Sequence, residues 1–549
     1  MFRRLVLTAA AMLAARAAEP AAWFARYLGA GNVDVIEALI ATSDGGELLG
    51  GYTFSYGAGA ADGWAVKLDA FGKIDWQTAV GGGANDTFFA ALETRDGEFV
   101  CAGDSLSVDA DSDALVVKFD AVGRVLWQRL LGGSLADTGR ALIETADGGV
   151  LLVGSSASFG AGSDDAWIVK LSANGAIDWQ RTYGGSGSDA GYGIAAAGAD
   201  QFVVVGETGS FGDPDGDAWT FKIDGSGGLL WQKSIGGPNR DSANAIRAIK
   251  GGFILGAQTE SFGAGGSDAW LIQLNGAGAV AWQKAYGGSG AESVFSVAPL
   301  SDRGLLVTVE TLSFGESGPA GWLLRLSRNG VIEWQRIYGG AGDESLYAAQ
   351  ELIDGRLIAA GYSDTHGTRI DALFLRLAAD GTIDSSCGTL ERASDAAAVT
   401  TNAAAADTAA VSSASSAGAG TANLAVTRTA VKLRTICGGP DLADLAGQFE
   451  AVEADGNRIE AALAIRNVGA SSGGSSAVKI YFSKKPKLKQ AVLIATESIG
   501  ALNAGRSTAL EISGTKSSQH KYLIAVLDAD QDLDEESEGN NLVIAPLPR

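Results

Sequence analysis

Carboxylates recur through this chain at a fixed interval, and they are the side chains whose spacing could do chemistry. One set comprises Asp34, Asp86, Asp137, Asp189, Asp241, Glu292 and Glu344, each four residues after a Gly-Gly type corner, with Asp343 beside the last. Seven acids around one mouth could hold a hard cation such as calcium through oxygen ligands. The alternative is that each caps its own corner by accepting backbone N–H bonds. Repetition in every copy favours capping, because a binding site usually breaks symmetry.

A second set, Asp62, Asp113, Asp165, Asp217, Asp268 and Asp371, has Ala320 as its exception. Five residues after each comes Lys67, Lys118, Lys170, Lys222, Gln273, Arg325 or Arg376. These read as solvated or intrablade partners, each contributing less than about 1 kcal/mol. Near the C-terminus Asp528, Asp530 and Asp532 alternate ahead of Asp534, Glu535, Glu536 and Glu538. That alternation begins like a calcium loop, but Leu533 stands where such a loop needs glycine.

No catalytic residue is assigned. The chain has two histidines, His366 and His520, neither in an HExxH spacing, and no CxxC or phosphate-cradling loop. Of the three cysteines, Cys101 sits in an apolar run and reads as a buried thiol. Cys387 and Cys437 flank a segment of Ala, Ser, Thr and Gly; a bridge between them would close it into a loop, contributing about 4 kcal/mol by chain-entropy reasoning. Both the bridged and the free state are open.

The elements that carry these acids are set by a repeat. A Trp recurs at Trp23, Trp76, Trp127, Trp179, Trp231, Trp282 and Trp334, paired with Gln in every copy after the first, so subtraction gives steps of 53, 51, 52, 52, 51 and 52 residues. Within one copy, ALIET turns at Asp147-Gly148-Gly149 into VLLVG, and a Ser/Gly-rich loop leads to AWIVKL. Asn174-Gly175 then turns the chain into AIDWQRTYGG. Four short strands cannot bury two apolar faces alone, so the copies must stack. Closing seven of them around an axis predicts an all-β chain, a seven-bladed β-propeller of four-stranded blades over 23–384. The Trp of each pair reads as a wedge between blades, not a platform for sugars.

The chain opens with a last-strand sequence (WFARYLG), and the seventh copy lacks one after ALFLRLAADG. Residues 23–29 are therefore expected to complete the final blade, with TIDSS (382–386) as the rival. These copies resemble the β-propeller repeat proteins exported by bacteria, with their DGG, SFGAG and WQ pieces, and KLDAFGKIDWQ (67–77) is similar to the tryptophan-docking repeat of quinoprotein-like propellers. That resemblance implies a fold and little chemistry.

Outside the repeat, residues 1–18 read as a secretory signal peptide: Arg3-Arg4, a short apolar run, and small residues around Ala17 and Ala18. No segment is apolar for long enough to span a membrane. The stretch 385–440 has too few large side chains for a core and reads as a linker. From 441 to 549 a sandwich-like strand pattern takes over. Ile465-Arg466-Asn467-Val468-Gly469, KIYFS, Leu502-Asn503-Ala504-Gly505 and YLIAVLDAD resemble a CARDB-type, immunoglobulin-like domain of bacterial surface proteins, which implies adhesion or ligand presentation.

The 41 basic and 64 acidic residues give a net charge of −23, which repels phosphate backbones and argues against nucleic acid. The function expected is a non-enzymatic exported binding or scaffold protein, periplasmic, cell-surface or extracellular, meeting protein or glycan partners. Calcium is the one cofactor considered. The alternative is a carbohydrate-active or quinoprotein-like enzyme using the propeller funnel. An enzyme should show irregular copies; the departures here are Pro214, Pro238-Asn239-Arg240, Pro319-Ala320 and Thr365–Arg369.

Overall fold

The computed structural model describes residues 24–383, apart from 71, 109, 110 and 366–368, and beyond 383 the strands named below with some adjoining residues. Contacts divide the chain into two units, the first running from Phe24 to Ile436. It contains seven antiparallel sheets, six of them with four repeat strands in chain order from the axis outward and the seventh completed by the N-terminal strand. Blade 3 is typical: Asp137–Glu144, Val150–Ser156, Asp165–Leu171 and Ile177–Gly184. The second and third strands, covered by neighbouring blades on both faces, are buried almost end to end, which is why their sequences lack polar alternation.

The ring closes as the copy count implies. Phe24–Leu28 pairs antiparallel with Asp371–Leu377, the third strand of blade 7, so the N-terminal segment and not TIDSS supplies the fourth strand. The register corrects one residue of the repeat. Trp76 faces Lys67 and Trp127 faces Lys118, but it is Phe24 that faces Arg376, so Phe24 is the counterpart of the Trp-Gln tryptophans. Trp23 lies outside the described residues. The anomalous step of 53 from Trp23 to Trp76 is 52 from Phe24.

Blade-to-blade packing explains the repeat's other pieces. The ring of Trp76 lies against Gly123 in the turn of the next blade, where φ is +75° and an added Cβ would come within 2.4 Å of the indole. Trp127 and Trp179 do the same one blade on, donating from Nε1 to the carbonyls of Ala173 (3.1 Å) and Gly225 (3.0 Å). A second set of indoles, Trp64, Trp167, Trp219, Trp270 and Trp322 on the third strands, is fully buried. The Phe of each SFGAG loop covers one of them, as Phe159 does Trp167 and Phe262 does Trp270, with centroids 6.1 and 5.7 Å apart.

The segment expected to be a linker contributes strands of its own. Glu391–Ala393, Ala397–Thr400, Ala404–Asp407, Val411–Ala414, Gly418–Thr421, Ala425–Arg428 and Leu433–Cys437 each join the outer edge of one blade. They serve blades 6, 5, 4, 3, 2, 1 and 7 in that order, a belt running backwards around the ring. Its registers agree from blade to blade: Val411 faces Gly184, Ala404 faces Gly236 and Ala397 faces Gly287. The five middle strands begin at 397, 404, 411, 418 and 425, seven residues apart. Too little side-chain volume forbids an independent core, but a strand added to an exposed edge needs only its backbone donors and acceptors.

The second unit holds two small sheets. Leu445–Asp455, Arg458–Asn467 and Ser507–Thr515 form one, and Val492–Ile499, Ser476–Ser483, Tyr522–Val526 and Leu542–Pro546 the other. Ile459, Leu463, Ile480, Phe482 and Leu523 fill the core between them. His520 stacks on Phe482 there, centroids 5.5 Å apart. No helix among the described residues is long and apolar enough to cross a membrane.

Candidate functional site

The seven recurrent acids at the corners are fully or almost fully buried. Each accepts a hydrogen bond from the backbone N–H four residues before it, for example Gly133 to Asp137 at 2.7 Å, Gly185 to Asp189 at 2.8 Å and Gly288 to Glu292 at 3.0 Å. Hydroxyls take further oxygen positions: Ser55 donates to Asp34, Ser107 to Asp86, Ser210 to Asp189 and Ser261 to Asp241, at 2.6 to 2.8 Å. The Ser of SFGAG is thus spent on this corner. Among the described residues no group of three or more His, Cys, Asp or Glu is placed to hold a metal ion.

The second set of acids is neither solvated nor, among the described residues, paired with the cation five residues on. Asp62, Asp113, Asp165, Asp217, Asp268 and Asp371 are buried, and each lies near the corner acid of the following blade. Gly81 separates Asp62 from Asp86 so narrowly that a Cβ there would come within 2.2 and 2.6 Å of the two carboxylates. Burial pushes Asp62, Asp217 and Asp268 up to about 6, against the backbone N–H bonds from Ala58, Asp213 and Ala264 and with help from the neighbouring carboxylate. A carboxyl whose folded pKa is raised binds its proton more tightly when native. Its stabilising contribution is complete below the ordinary value of 3.8 and is lost as pH rises through about 6. The melting temperature is therefore expected to fall between pH 4.5 and 7. Replacing Asp62, Asp217 and Asp268 together with Asn should flatten that slope in a thermal scan, whereas a wild-type melting point that climbs through the same interval would refute it.

Lys67, Lys118, Lys170 and Arg376 are buried and not solvated, but the expected intrablade pairing holds for Lys67 with Asp44, Lys118 with Glu98 at 2.6 Å and Lys170 with Asp147, whereas Arg376 crosses to Glu47 of blade 1 at 2.5 Å. Cys101 is a buried free thiol, pushed up to about 12 by desolvation. The side chains of Cys387, Cys437, Asp528, Asp530 and Asp532 lie outside the described residues, and so do the proposed bridge and calcium loop.

With the repeated residues accounted for, the chemistry that varies converges on the axis. Every inner strand carries a one-residue β-bulge in its pairing with the second strand. The bulged residues are Glu37, Phe89, Arg140, Tyr192, Asn244, Phe295 and Tyr347, one per blade, and all seven line a cavity of about 200 Å³. A bulge re-aims its side chain out of the ordinary alternation, which is how these residues reach the channel. Their chemistry changes from copy to copy, from carboxylate to guanidinium, amide, phenol and phenyl.

The cavity is polarised. On one side the Arg140 guanidinium lies over the Phe89 ring, 4.2 Å from its centroid. On the other, Phe295 meets Tyr347 edge to face at 4.5 Å and Tyr347 meets Tyr362 at 5.8 Å. Burial pushes the Glu37 carboxyl up to about 7, Arg140 opposing and Asp104 adding to the effect. Burial, then the Glu37 charge, raises the Tyr52 hydroxyl to about 12. A second cavity of about 170 Å³ adjoins Tyr192 and Asn244, walled by Glu207, Arg240, Gln258 and Glu260. Arg240 forks onto Glu207 at 2.7 and 2.8 Å, so the irregular Pro238-Asn239-Arg240 corner does open onto a pocket. The bulge residues were missed from the sequence because one extra residue shifts the period-2 pattern; their even spacing of 51 or 52 was the available signal.

Comparison with known proteins agrees with both units. Residues 440–545 match the CARDB family model, and residues 354–386 match that of a domain of unknown function described as a DUF5122 beta-propeller. No curated protein matches the sequence. Among solved structures, a CARDB domain from Pyrococcus furiosus in complex with di-metal ions is 16% identical, covering 20% of this chain and 93% of that one, with a TM-score of 0.16. The tail fiber of Staphylococcus aureus phage P68 is 11% identical, covering 65% of this chain and 94% of that one, with a TM-score of 0.22. The chain is thus a seven-bladed β-propeller, of which residues 354–386 match the DUF5122 model, followed by a C-terminal region, residues 440–545, that matches the CARDB model.

Proposed function

We propose that this is a non-enzymatic, exported binding or scaffold protein whose propeller receives a protein or glycan partner at the axial funnel. In this reading the CARDB domain serves adhesion at or beyond the cell surface. The observation that carries it is the contrast between corners and bulges. Repeated acids are used up by their own backbone, while the seven residues that differ from blade to blade face one cavity. Fixed architecture with one variable, concave surface is how a scaffold presents a binding site.

The test is a screen of the full chain against a glycan array and immobilised surface proteins, repeated with Tyr192→Ala and Tyr347→Ala. Binding that both variants weaken supports the funnel. A ligand retained unchanged by both would move the site elsewhere. The rival reading, a carbohydrate-active or quinoprotein-like enzyme, draws on Glu37, a channel carboxyl pushed up to about 7 that could exchange a proton near neutrality. Turnover of a glycan hit, abolished in Glu37→Gln, would favour it.

A further inference from the structure

The two walls of the axial cavity are not equivalent, and the difference points to a class of ligand. On the Phe89 wall a cation already sits on the aromatic face, supplied by Arg140. Across the channel the same kind of surface has no cation over its rings among the described residues, although Arg247 also lines the cavity. Phe295, Tyr347 and Tyr362 touch in sequence from blade 6 to blade 7, with Tyr52 of blade 1 near Tyr347. Glu37 and Glu310 lie close enough to raise the Tyr347 hydroxyl further, after burial has done most of that work. Among the described residues neither Glu37 nor Glu310 forms an ion pair with a basic side chain.

We propose that the blade 6, 7 and 1 side of this cavity receives an ammonium or guanidinium group on an apolar stem, seated against Phe295 and Tyr347, with Tyr362 packed behind Tyr347, and balanced by Glu37 in the lining and Glu310 beyond it. Ring faces attract such a group through their quadrupole, most strongly where water is partly excluded. The Arg140 and Phe89 pair displays the same chemistry a few blades away. The cavity's volume of about 200 Å³ lies below the roughly 300–1,000 Å³ of sites for drug-sized ligands, so it suits one long side chain or a small amine and not a sugar chain. A net charge of −23 favours the approach of a cation. The assignment rests on the funnel being a binding site and narrows what enters it.

Calorimetric titration of the full chain with n-butylammonium, with a peptide bearing one lysine whose side-chain ammonium is free, and with the same peptide carrying Nζ-acetylated, uncharged lysine tests it. The charged probes should bind roughly tenfold more tightly than the uncharged peptide, and Tyr347→Ala should weaken them by a similar factor. Glu310→Gln, a milder change less apt to disturb folding, should weaken them in the same sense. Equal affinity for amine and peptide identifies a small amine as the ligand; a peptide preferred over the amine identifies a basic side chain of a partner. If charged and uncharged probes bind alike, or if Tyr347→Ala and Glu310→Gln change nothing, the cation assignment is overturned. The funnel reading is judged separately, by whether Tyr192→Ala on the far wall weakens the partner found in the screen.

Discussion

Glu47→Ala should destabilise the propeller by about 3–5 kcal/mol. Glu47 opens the second strand of blade 1 and Arg376 lies on the third strand of blade 7, so their contact at 2.5 Å crosses the seam where the ring closes. Both side chains are fully buried, and Arg376 also donates to the carbonyl of Ala70 at 3.2 Å. Burial outweighs Arg376 and leaves Glu47 above its ordinary pKa, a sign that desolvation consumes much of the attraction between the two. The pair itself then adds little to stability. Removing one member is what costs, because the other stays buried and unbalanced. Glu47→Leu combined with Arg376→Met should therefore recover most of the loss. Urea denaturation of the two single variants and the double variant decides this. A Glu47→Ala loss of less than about 1 kcal/mol, or a double variant as unstable as the singles, contradicts it.

Removal of the belt should produce the second large effect, seen mainly as association. A chain ending at residue 386 loses the fifth strand of every blade, whereas one ending at residue 438 keeps them all. Each backbone hydrogen bond given up is a net loss of about 0.5–1.5 kcal/mol, but ordering the belt costs about 1–2 kcal/mol per residue. The two nearly offset, so the melting temperature is expected to move only modestly. Seven bare edges have no such offset, since unpaired N–H and C=O groups template pairing with another molecule. Light scattering after size exclusion should show the longer chain monomeric and the shorter one aggregated. A shorter chain that stays monomeric at the same concentration would mean that the outer strands were already protected without the belt.

The blades were legible because a repeat multiplies weak signals: one Asp-Gly-Gly turn is a hint, and seven copies of the strand-and-turn pattern around it at a common interval fix a topology. Closure through the N-terminal strand could be read from a missing piece in the last copy. Phe24 displaced Trp23 because pairing register, not residue type, decides which side chain meets Arg376. The belt escaped notice for the opposite reason. Its strands are held through backbone groups, which composition does not record, and only the seven-residue step from Ala397 to Ala425 betrayed them. The corner acids were found, with backbone capping favoured over metal, and each does accept a backbone N–H. The axial residues were not found, because a search for recurrence is blind to positions that recur in place while changing in chemistry, such as Glu37, Arg140 and Tyr347.

The winding sense of the outermost strands bears on the order in which the molecule can be made. Synthesis releases Phe24–Leu28 first, yet its partner Asp371–Leu377 emerges last among the blades. A nascent chain must keep that segment waiting through nearly the whole of translation. The encircling strands follow later still and dress the newest blades before the oldest, finishing on the very segment that had waited. A ribosome that stalls short of residue 437 therefore leaves a rim with at least one gap, and the last gap to fill lies at the junction that holds the ring shut.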